Sequence, residues 1–413
     1  MKISQTERWT RLIFAILVLL FAGIIYAWSI LQAPFKPGFN GPFAAVFDWD
    51  KGQLSLNYTL TIMFFCIGGF IAGLLTKKTT PRLRFIIAAV LLFCGFFFTS
   101  RINPGQLWLL YIAYGFMSGI GIGFVYTTVI GLTAAWFPDK PGLCSGLMLM
   151  GFGLTSLVIG NISEALMKAP NIGWRNTYLI LAIALGVVFI AASFIIRAPK
   201  EGSILPQKKA AKKSGAATAE IKDYSPGELI TRSSFWRLFI VITLIAAVGS
   251  AAIALARDIF LDFKIEATFV PTLIGFISIC NGAGRLTLGA LFDTLGIRKT
   301  QFFIAIMALA APVVVVIALA TKLMVIGVIG VALCYFAYGF APTMASVFSM
   351  KFYGPKNFSL NFSILNLILI PAPFAATLAG TMRESTESFL IPFAILACCA
   401  VVGGIINLSI KKA

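Results

Sequence analysis

The chain has 413 residues, of which 59% are hydrophobic and only 12% charged. A soluble protein of this length could not cover so many apolar side chains, because its surface needs polar residues. The formal net charge of +18 invites a nucleic-acid partner, but the basic residues are distributed as in membrane proteins, so we predict none. The composition predicts an all-α, polytopic membrane protein embedded in a lipid bilayer.

Hydrophobic stretches of about 20 residues recur along the whole chain, and each is long enough to cross a hydrocarbon core of about 30 Å. The first stretch is too long for a cleavable signal peptide and lacks a small-residue cleavage site. We predict twelve transmembrane spans, numbered 1 to 12 in chain order. Their approximate bounds are 12–34, 55–76, 83–100, 106–136, 141–165, 174–197, 234–257, 268–292, 299–321, 323–350, 356–382 and 386–409.

The longest polar stretch, roughly residues 198–233, separates six spans from six. Its run Lys208-Lys-Ala-Ala-Lys-Lys213 is typical of a flexible tether that faces solvent and lipid headgroups. An even number of spans puts both termini on one side, where Lys and Arg are concentrated, so that side is predicted to be cytoplasmic. We predict an N-terminal bundle at 1–197, a cytoplasmic linker at 198–233 and a C-terminal bundle at 234–413, in the cell inner (plasma) membrane.

Residues that usually hold metals or perform catalysis are scarce. All seven cysteines fall inside predicted spans without CxxC spacing, which indicates packing rather than a disulfide or metal framework. Histidine is absent, which removes the commonest metal ligand and proton relay. An integral-membrane enzyme would need convergent acids, histidines or a nucleophile in the spans. We therefore expect no metal, no cofactor and no enzymatic activity.

The two halves of the chain show internal similarity at a constant offset of 216 residues. Gly73-Leu-Leu-Thr-Lys-Lys-Thr-Thr-Pro-Arg82 follows span 2, and Gly289-Ala-Leu-Phe-Asp-Thr-Leu-Gly-Ile-Arg298 follows span 8. The same offset aligns Trp136-Phe-Pro-Asp-Lys140 with Phe352-Tyr-Gly-Pro-Lys356. Two segments that agree without a gap favour duplication. Duplicated six-helix bundles, related by pseudo-symmetry, are typical of secondary transporters that bind substrate near the membrane midplane.

Twelve spans, a long middle loop and the glycine loop at Gly289–Arg298 resemble the major facilitator superfamily. More specific segments are similar to the oxalate/formate antiporter family and to monocarboxylate (lactate-type) transporters. The resemblance implies two six-helix bundles that transport a solute by alternating access, with the chain functional as a monomer. The segments that carry it are Tyr26-Ala-Trp28, Gly119-Ile-Gly-Ile-Gly-Phe-Val-Tyr126, Trp136-Phe-Pro-Asp-Lys-Pro-Gly-Leu-Cys-Ser-Gly146, Asn281-Gly-Ala-Gly-Arg285 and Tyr338-Gly-Phe-Ala-Pro342.

Arg285 is the main candidate for substrate binding. It lies in the otherwise apolar span 8, about 12 Å of helix before Asp293, and therefore near the midplane. A charge there costs roughly 3 kcal/mol or more, and arginine keeps its proton. No acidic residue lies comparably deep in any predicted span, so we expect the partner to be a substrate carboxylate. A structural arginine paired with an acid is the alternative.

Other polar residues within the spans are weaker candidates for the same site. Asn281 lies one helical turn before Arg285, where it could hold the guanidinium or contact substrate. A lone asparagine or tyrosine in a membrane helix often only packs. Near Pro371-Ala-Pro373, where we expect span 11 to bend, two more asparagines occur. The remaining candidates for substrate binding are Asn361, Asn366, Tyr26, Tyr126, Tyr335 and Tyr338.

Charged residues near the ends of spans 7 and 8 are candidates for coupling or gating. At the outer end of span 7, an acid could pair with Arg257 or carry protons, although a solvated helix end is the simpler interpretation. The N-terminal glycine loop has Lys77 where its duplicate has Asp293, so gating contacts are expected at Asp293 and Arg298. The acids of span 7 are Asp258 and Asp262.

The function that we expect is secondary active transport of a small monocarboxylate such as lactate or pyruvate, proton-coupled or anion-exchanging. The antiporter family is expected to carry a lysine on span 11, suited to a dianion, where this chain has Leu365. With one cation, a monocarboxylate balances the site better than oxalate does. An oxalate/formate-type exchanger and a non-transporting receptor on the same scaffold are the alternatives.

Overall fold

The computed structural model describes residues 4–36, 39, 41–42, 47, 49–199, 222–266 and 269–410. Across these residues the regular secondary structure is helical, without a strand. Twelve helices are long and apolar enough to cross a membrane, which confirms the predicted number. Spans 1 to 12 are Gln5–Phe35, Gly52–Lys77, Pro81–Ser100, Leu107–Ala134, Pro141–Lys168, Gly173–Ile195, Ser233–Asp262, Thr272–Thr294, Gly296–Thr321, Met324–Tyr353, Phe358–Arg383 and Leu390–Ser409.

The chain divides by its contacts into two compact units. The first unit contains Met1–Asp139 and Gly151–Gln207, and the second contains Lys140–Met150 and Lys208–Ala413. The first half of span 5 therefore belongs to the second unit, whereas the sequence divides the chain only at the linker. Residues 200–221 of the predicted linker, with the lysine run 208–213, lie outside the described residues.

Span 1 changes its helical winding where it packs against the second half of span 5. It is α-helical over Gln5–Ala22, a 3-10 helix over Gly23–Ala27, and α-helical again over Trp28–Leu31. A Cβ on Gly23 would meet the carbonyl oxygen of Phe152, so only glycine permits this close approach. The hydroxyl of Thr155 donates to the carbonyl of Leu20 at 2.6 Å, which fixes the same contact.

Span 11 is broken at its two prolines. It is α-helical over Phe358–Asn366, a 3-10 helix over Leu367–Leu369, and α-helical again over Phe374–Thr386. Pro371 and Pro373 have no amide hydrogen and interrupt the helical hydrogen bonds. The predicted bend of span 11 is therefore confirmed.

Three more spans depart from a continuous α-helix. Span 4 contains a π-helical stretch and span 5 a π-helical turn, a feature that is frequent at functional sites, and span 10 is divided at Gly339. Their segments are Leu107–Leu110, Tyr111–Ser118 (π) and Gly119–Ala134; Pro141–Gly153, Ser156–Gly160 (π) and Asn161–Lys168; and Met324–Tyr338 and Phe340–Tyr353. The other helices are Lys51–Leu74 with a 3-10 turn at Leu75–Lys77, Pro81–Ser100, Gly173–Ile195, Pro226–Thr231, Ser233–Asp262, Val270–Thr294, Gly296–Thr321 and Leu390–Ser409.

The segment Trp136–Asp139 after span 4 is anchored to span 1 within the first unit. The Arg8 side chain is 2% exposed, forms an ion pair with Asp139, and donates from Nε to the Trp136 carbonyl at 2.8 Å. The Trp136 indole donates in turn to the carbonyl of Arg197 at 2.7 Å. The segment Trp136–Asp139 therefore joins the start of span 1 to the ends of spans 4 and 6.

The end of the predicted linker is built onto the second unit. The Tyr224 amide donates to the Tyr353 carbonyl at 3.0 Å, and Asp223 accepts from the Lys356 amide at 2.8 Å. The short helix Pro226–Thr231 follows, with a capping box between Ser225 and Glu228. The hydrogen bond from the Ser225 amide lowers the pKa of the Glu228 carboxyl. The last part of the linker, from residue 222 onward, is thus held against the second unit.

Replacing Arg8 with methionine is expected to lower the free energy of unfolding by about 3 kcal/mol, because the partly buried Asp139 carboxylate loses its cation. Thermal unfolding of the purified protein in detergent measures the difference. Lys168→Met is the matched control, since it removes an exposed ion pair with Glu164 that contributes about 0.5 kcal/mol. Equal melting temperatures for the two variants would contradict an anchoring role for Arg8.

Candidate functional site

Arg285 lies in the middle of span 8 and is 1% exposed. Its Nε donates to the side-chain oxygen of Asn281 at 3.1 Å, and its Nη1 donates to the Leu149 carbonyl at 2.5 Å. Leu149 belongs to the first half of span 5, within the same unit. Both acceptors are neutral oxygens, so these two hydrogen bonds orient the guanidinium without neutralising its charge.

Glycines let the neighbouring helices approach the backbone of span 8 around Arg285. A Cβ on Gly146 of span 5 would lie 2.7 Å from the Arg285 carbonyl oxygen, and one on Gly339 of span 10 would lie 2.9 Å from the Arg285 amide nitrogen. A Cβ on Gly289 would meet the Gly142 carbonyl. The crowding of glycines in span 5 is therefore explained by helix packing, as small residues in membrane helices usually are.

Asp293 caps the first turn of span 5. Its carboxylate accepts hydrogen bonds from the amides of Gly142 at 3.2 Å and Leu143 at 2.6 Å. These are amides that a helix leaves unsatisfied at its start, where a negative charge is also favoured. The hydroxyls of Ser145 and Ser346 lie 2.8 Å apart and join span 5 to span 10. Asp293 therefore closes the contact between spans 5 and 8 at one end, eight residues beyond Arg285.

Tyr335 and Tyr338 are on span 10 of the same unit. Tyr335 is buried, and Tyr338 is half-buried and packs beside Gly249 of span 7, where a Cβ would meet the tyrosine side chain. Span 10 contacts the backbone of span 8 at Gly339, the residue after Tyr338. Asn366 is buried at the end of the first helix of span 11. Among the predicted binding residues, Asn281 is joined directly to Arg285 by a side-chain hydrogen bond.

Tyr26 and Tyr126 belong to the first unit, where both contact Phe152. The ring centroids of Tyr26 and Phe152 are 5.5 Å apart, and those of Tyr126 and Phe152 are 4.9 Å apart. Phe65 of span 2 packs against both Tyr126 and Phe152. Residues from spans 1, 2, 4 and 5 thus form one aromatic cluster. Substrate binding by Tyr26 and Tyr126 stays a prediction.

Asn361 is held by the end of the linker. It is fully buried near the start of span 11, and its side-chain nitrogen donates to the Tyr224 carbonyl at 3.1 Å. Asn357 donates to the same oxygen at 2.9 Å. The hydrogen bond to Tyr224 therefore gives Asn361 a structural contact near the start of span 11. Substrate binding by Asn361 stays a prediction.

Two of the candidates for coupling and gating, Asp262 and Arg298, have partners that the sequence did not indicate. Asp262 pairs with Arg383 of span 11 at 3.1 Å, and both side chains are about one-third exposed. Arg257 and Asp258 are exposed, and neither forms an ion pair within the described residues. Arg298 donates to the Leu408 carbonyl at 2.5 Å and so caps the end of span 12.

Comparison with protein families decides the family. Residues 12–377 match the model of the Major Facilitator Superfamily, which is most of the chain. The chain belongs to the major facilitator superfamily.

The chain is similar to transporters from bacteria and from a mammal. It is 25% identical over 365 residues to the uncharacterized MFS-type transporter YhjX of Escherichia coli (strain K12), covering 88% of this chain and 85% of YhjX. It is 25% identical to the oxalate:formate antiporter of Oxalobacter formigenes, covering 71% of this chain and 66% of the antiporter. It is 24% identical to monocarboxylate transporter 10 of Mus musculus, covering 86% and 68% of the two chains.

Solved structures show the same fold. The facilitator superposes on the outward conformation of FucP with a TM-score of 0.69 at 14% identity, covering 98% of this chain and all of FucP. A double-tryptophan mutant of XylE gives a TM-score of 0.71 at 14% identity, covering 99% and 97%. At this identity the likeness shows the fold alone. The predicted fold class and the resemblance to the superfamily are confirmed.

Sequence reasoning missed several residues around Arg285. A backbone carbonyl such as that of Leu149 leaves no signal in a sequence, because every residue carries one. Ser145 and Ser346 are common residue types at unremarkable positions.

Two further buried arginines, Arg8 and Arg84, lie near span ends, and each is 2% exposed. Their positions within the first turns of spans 1 and 3 resemble ordinary interfacial cations, which hid them.

We expect Gly289→Val to open the contact between spans 5 and 8, because the new side chain would collide with the Gly142 backbone. Overpacking of this kind costs about 1–3 kcal/mol. The measurement is thermal unfolding of the protein purified in detergent, in which Gly289→Val should have a lower melting temperature than the wild type.

Gly275→Val is the matched control for this experiment. Gly275 is on the same span, with no atom within 4 Å of a Cβ placed there. An unchanged melting temperature in Gly289→Val, or an equal fall in Gly275→Val, would contradict the inferred packing.

Proposed function

We propose that this protein is a secondary active transporter of a small monocarboxylate such as lactate or pyruvate, and that Arg285 binds the carboxylate. Membership of the superfamily supports transport in general. The observation that carries the substrate class is a fully buried guanidinium in the middle of span 8, oriented by two neutral oxygens. An arginine fork matches the two oxygens of a carboxylate in charge and in geometry.

Access to Arg285 requires a rearrangement of span 5. In the described conformation Nη1 is occupied by the Leu149 carbonyl, and the first half of span 5 covers the guanidinium. A carboxylate that replaces this carbonyl would exchange a neutral acceptor for a charged one, which makes a stronger hydrogen bond. In our proposal, substrate binding and the separation of span 5 from span 8 are therefore linked, as alternating access requires.

Asp293 is the proposed closing contact of this rearrangement. Its hydrogen bonds to Gly142 and Leu143 exist only while the start of span 5 lies against span 8. Arg298, near the start of span 9, joins that helix to the end of span 12 through the Leu408 carbonyl. These contacts agree with the gating role that the sequence assigns to the second glycine loop.

A monocarboxylate balances the charge at this site better than a dianion. The position on span 11 that would carry a second cation is Leu365, which is fully buried. Oxalate would bring two negative charges to one guanidinium. The relative named as an oxalate:formate antiporter nevertheless favours exchange of such acids as the second candidate function. A non-transporting receptor has no feature of the described chain in its favour.

The proposed setting is the cell inner membrane, with both termini in the cytoplasm, where the basic residues are concentrated. The driving force would come from gradients of protons or of exchanging anions. We propose Asp258 and Asp262 as candidate coupling residues, since both are acids at the end of span 7. The chain would act as a monomer without a cofactor.

Arg285→Lys is expected to reduce monocarboxylate uptake by about tenfold to a hundredfold, because a single ammonium cannot reproduce the bidentate fork. Arg285→Ala should abolish uptake. The measurement is uptake of radiolabelled lactate, pyruvate, formate and oxalate into proteoliposomes, with and without a pH gradient and with and without internal anion. Uptake that needs the pH gradient identifies symport, and uptake that needs internal anion identifies exchange.

Arg101→Lys is the control, since Arg101 is exposed at the far end of span 3, with its guanidinium over the Phe97 ring. It should transport like the wild type. Full uptake by Arg285→Ala would refute the binding role of Arg285.

Leu365→Lys is expected to shift selectivity towards oxalate. The added cation would balance the second charge of a dianion, so the ratio of oxalate to lactate uptake should rise about tenfold, the effect of one favourable charge contact of about 1.4 kcal/mol. Leu365→Met, which keeps the site neutral and similar in volume, is the matched control. A ratio that is the same in both variants would place residue 365 away from the substrate.

A further inference from the structure

Three arginines converge on the last turn of span 6 in the first unit. Arg11 Nη1 donates to the Ile195 carbonyl, and Arg197 Nε donates to the Phe194 carbonyl at 3.0 Å. The Arg82 guanidinium lies over the Phe194 ring, 4.8 Å from its centroid. Spans 1 and 3 begin, and span 6 ends, on the same side of the membrane. We refer to Arg11, Arg82 and Arg197 as the arginine cluster.

The cluster carries more positive charge than the protein around it balances. Glu7 lies one helical turn before Arg11 and forms an ion pair with it at 3.6 Å, near the surface. Within the described residues, neither Arg82 nor Arg197 forms an ion pair, and Arg82 forms no hydrogen bond. The end of a helix attracts cations, which accounts for the bonds of Arg11 and Arg197 to carbonyls. It does not account for Arg82, whose five donors remain available at an exposed position.

An apolar surface begins directly beside the arginine cluster. Spans 3 and 6 pack along one another, from Arg82 over Phe194 at one end to the hydrogen bond between Arg175 and the Ser100 carbonyl at the other. Each span has an outward stripe of large apolar side chains at helical spacing. These exposed residues are Leu83, Ile86 and Val90 on span 3, and Val187, Ile190 and Phe194 on span 6.

We propose that the arginine cluster binds the phosphate of an anionic phospholipid, whose acyl chain lies along the exposed stripes of spans 3 and 6. Guanidinium groups match phosphate oxygens in pairs, and basic sites between membrane helices suit anionic headgroups. The apolar stripes favour a lipid over free phosphate, because the ligand must offer both a phosphate and a hydrocarbon chain. The cluster lies on the side that the charge distribution predicts to be cytoplasmic, where anionic lipids are found.

The test compares lipid binding by the whole purified protein and its variants, measured by native mass spectrometry and by thermal stabilisation in detergent. Cardiolipin and phosphatidylglycerol should remain bound and raise the melting temperature, whereas phosphatidylcholine should not. Arg82→Gln and Arg197→Gln should each weaken the apparent affinity for cardiolipin about fivefold, the effect of one basic residue near an anionic headgroup. Arg82→Gln removes no hydrogen bond of the fold, so it keeps the test valid if Arg197→Gln is unstable.

Arg101→Gln is the matched control, because Arg101 lies over the Phe97 ring at the opposite end of span 3. It should bind cardiolipin like the wild type. Equal lipid retention by the wild type and Arg82→Gln would overturn the proposal, as would an equal loss in Arg101→Gln. Stabilisation by inorganic phosphate alone that matches cardiolipin would also overturn it, since the site would then hold an ion rather than a lipid. None of these results depends on the transported substrate.

Discussion

A guanidinium in the middle of a membrane span must be surrounded by oxygen atoms, because it keeps its proton and hydrocarbon cannot solvate it. In this protein Asn281 and the Leu149 carbonyl supply two of those oxygens. The second of them is available only if span 5 lies against the backbone of span 8. Glycines at 146 and 289 make that approach possible. The hydrogen bonding of Arg285 therefore depends on the close packing of spans 5 and 8.

Two carboxylates make structural contacts near the connection between spans 4 and 5, one with an arginine and one with backbone amides. Asp139 pairs with Arg8 within the first unit, and three residues later the amides of Gly142 and Leu143 donate to Asp293 within the second. The boundary between the compact units falls between these two contacts, after Asp139. Residues Trp136–Asp139, part of a motif that carries the family resemblance, are thus a structural anchor within the first unit.

A shared fold does not decide the substrate. FucP and XylE share the fold of this chain at 14% identity, while the relatives named for oxalate and formate or for monocarboxylates are about 25% identical. In our proposal the substrate is selected by side chains within the spans. The two that carry the proposal are Arg285 and Leu365, where the antiporter family is expected to have a cation.

The sequence by itself determined the features that depend on neighbours along the chain. Apolar length predicted twelve spans, the prolines predicted the bend in span 11, and spacing of one helical turn placed Asn281 on the same face as Arg285, where it could hold the guanidinium or contact substrate. Each of these follows from local geometry or from the thickness of the membrane.

Tertiary structure decided which distant groups meet. It gave Asp262 its partner Arg383, bound Asn361 to Tyr224, and assigned the first half of span 5 to the second unit. No sequence pattern specifies such pairings, because they depend on how helices far apart in the chain pack together. The Leu149 carbonyl shows the limit most clearly, since every residue has this group and only the fold selects the one that meets Arg285.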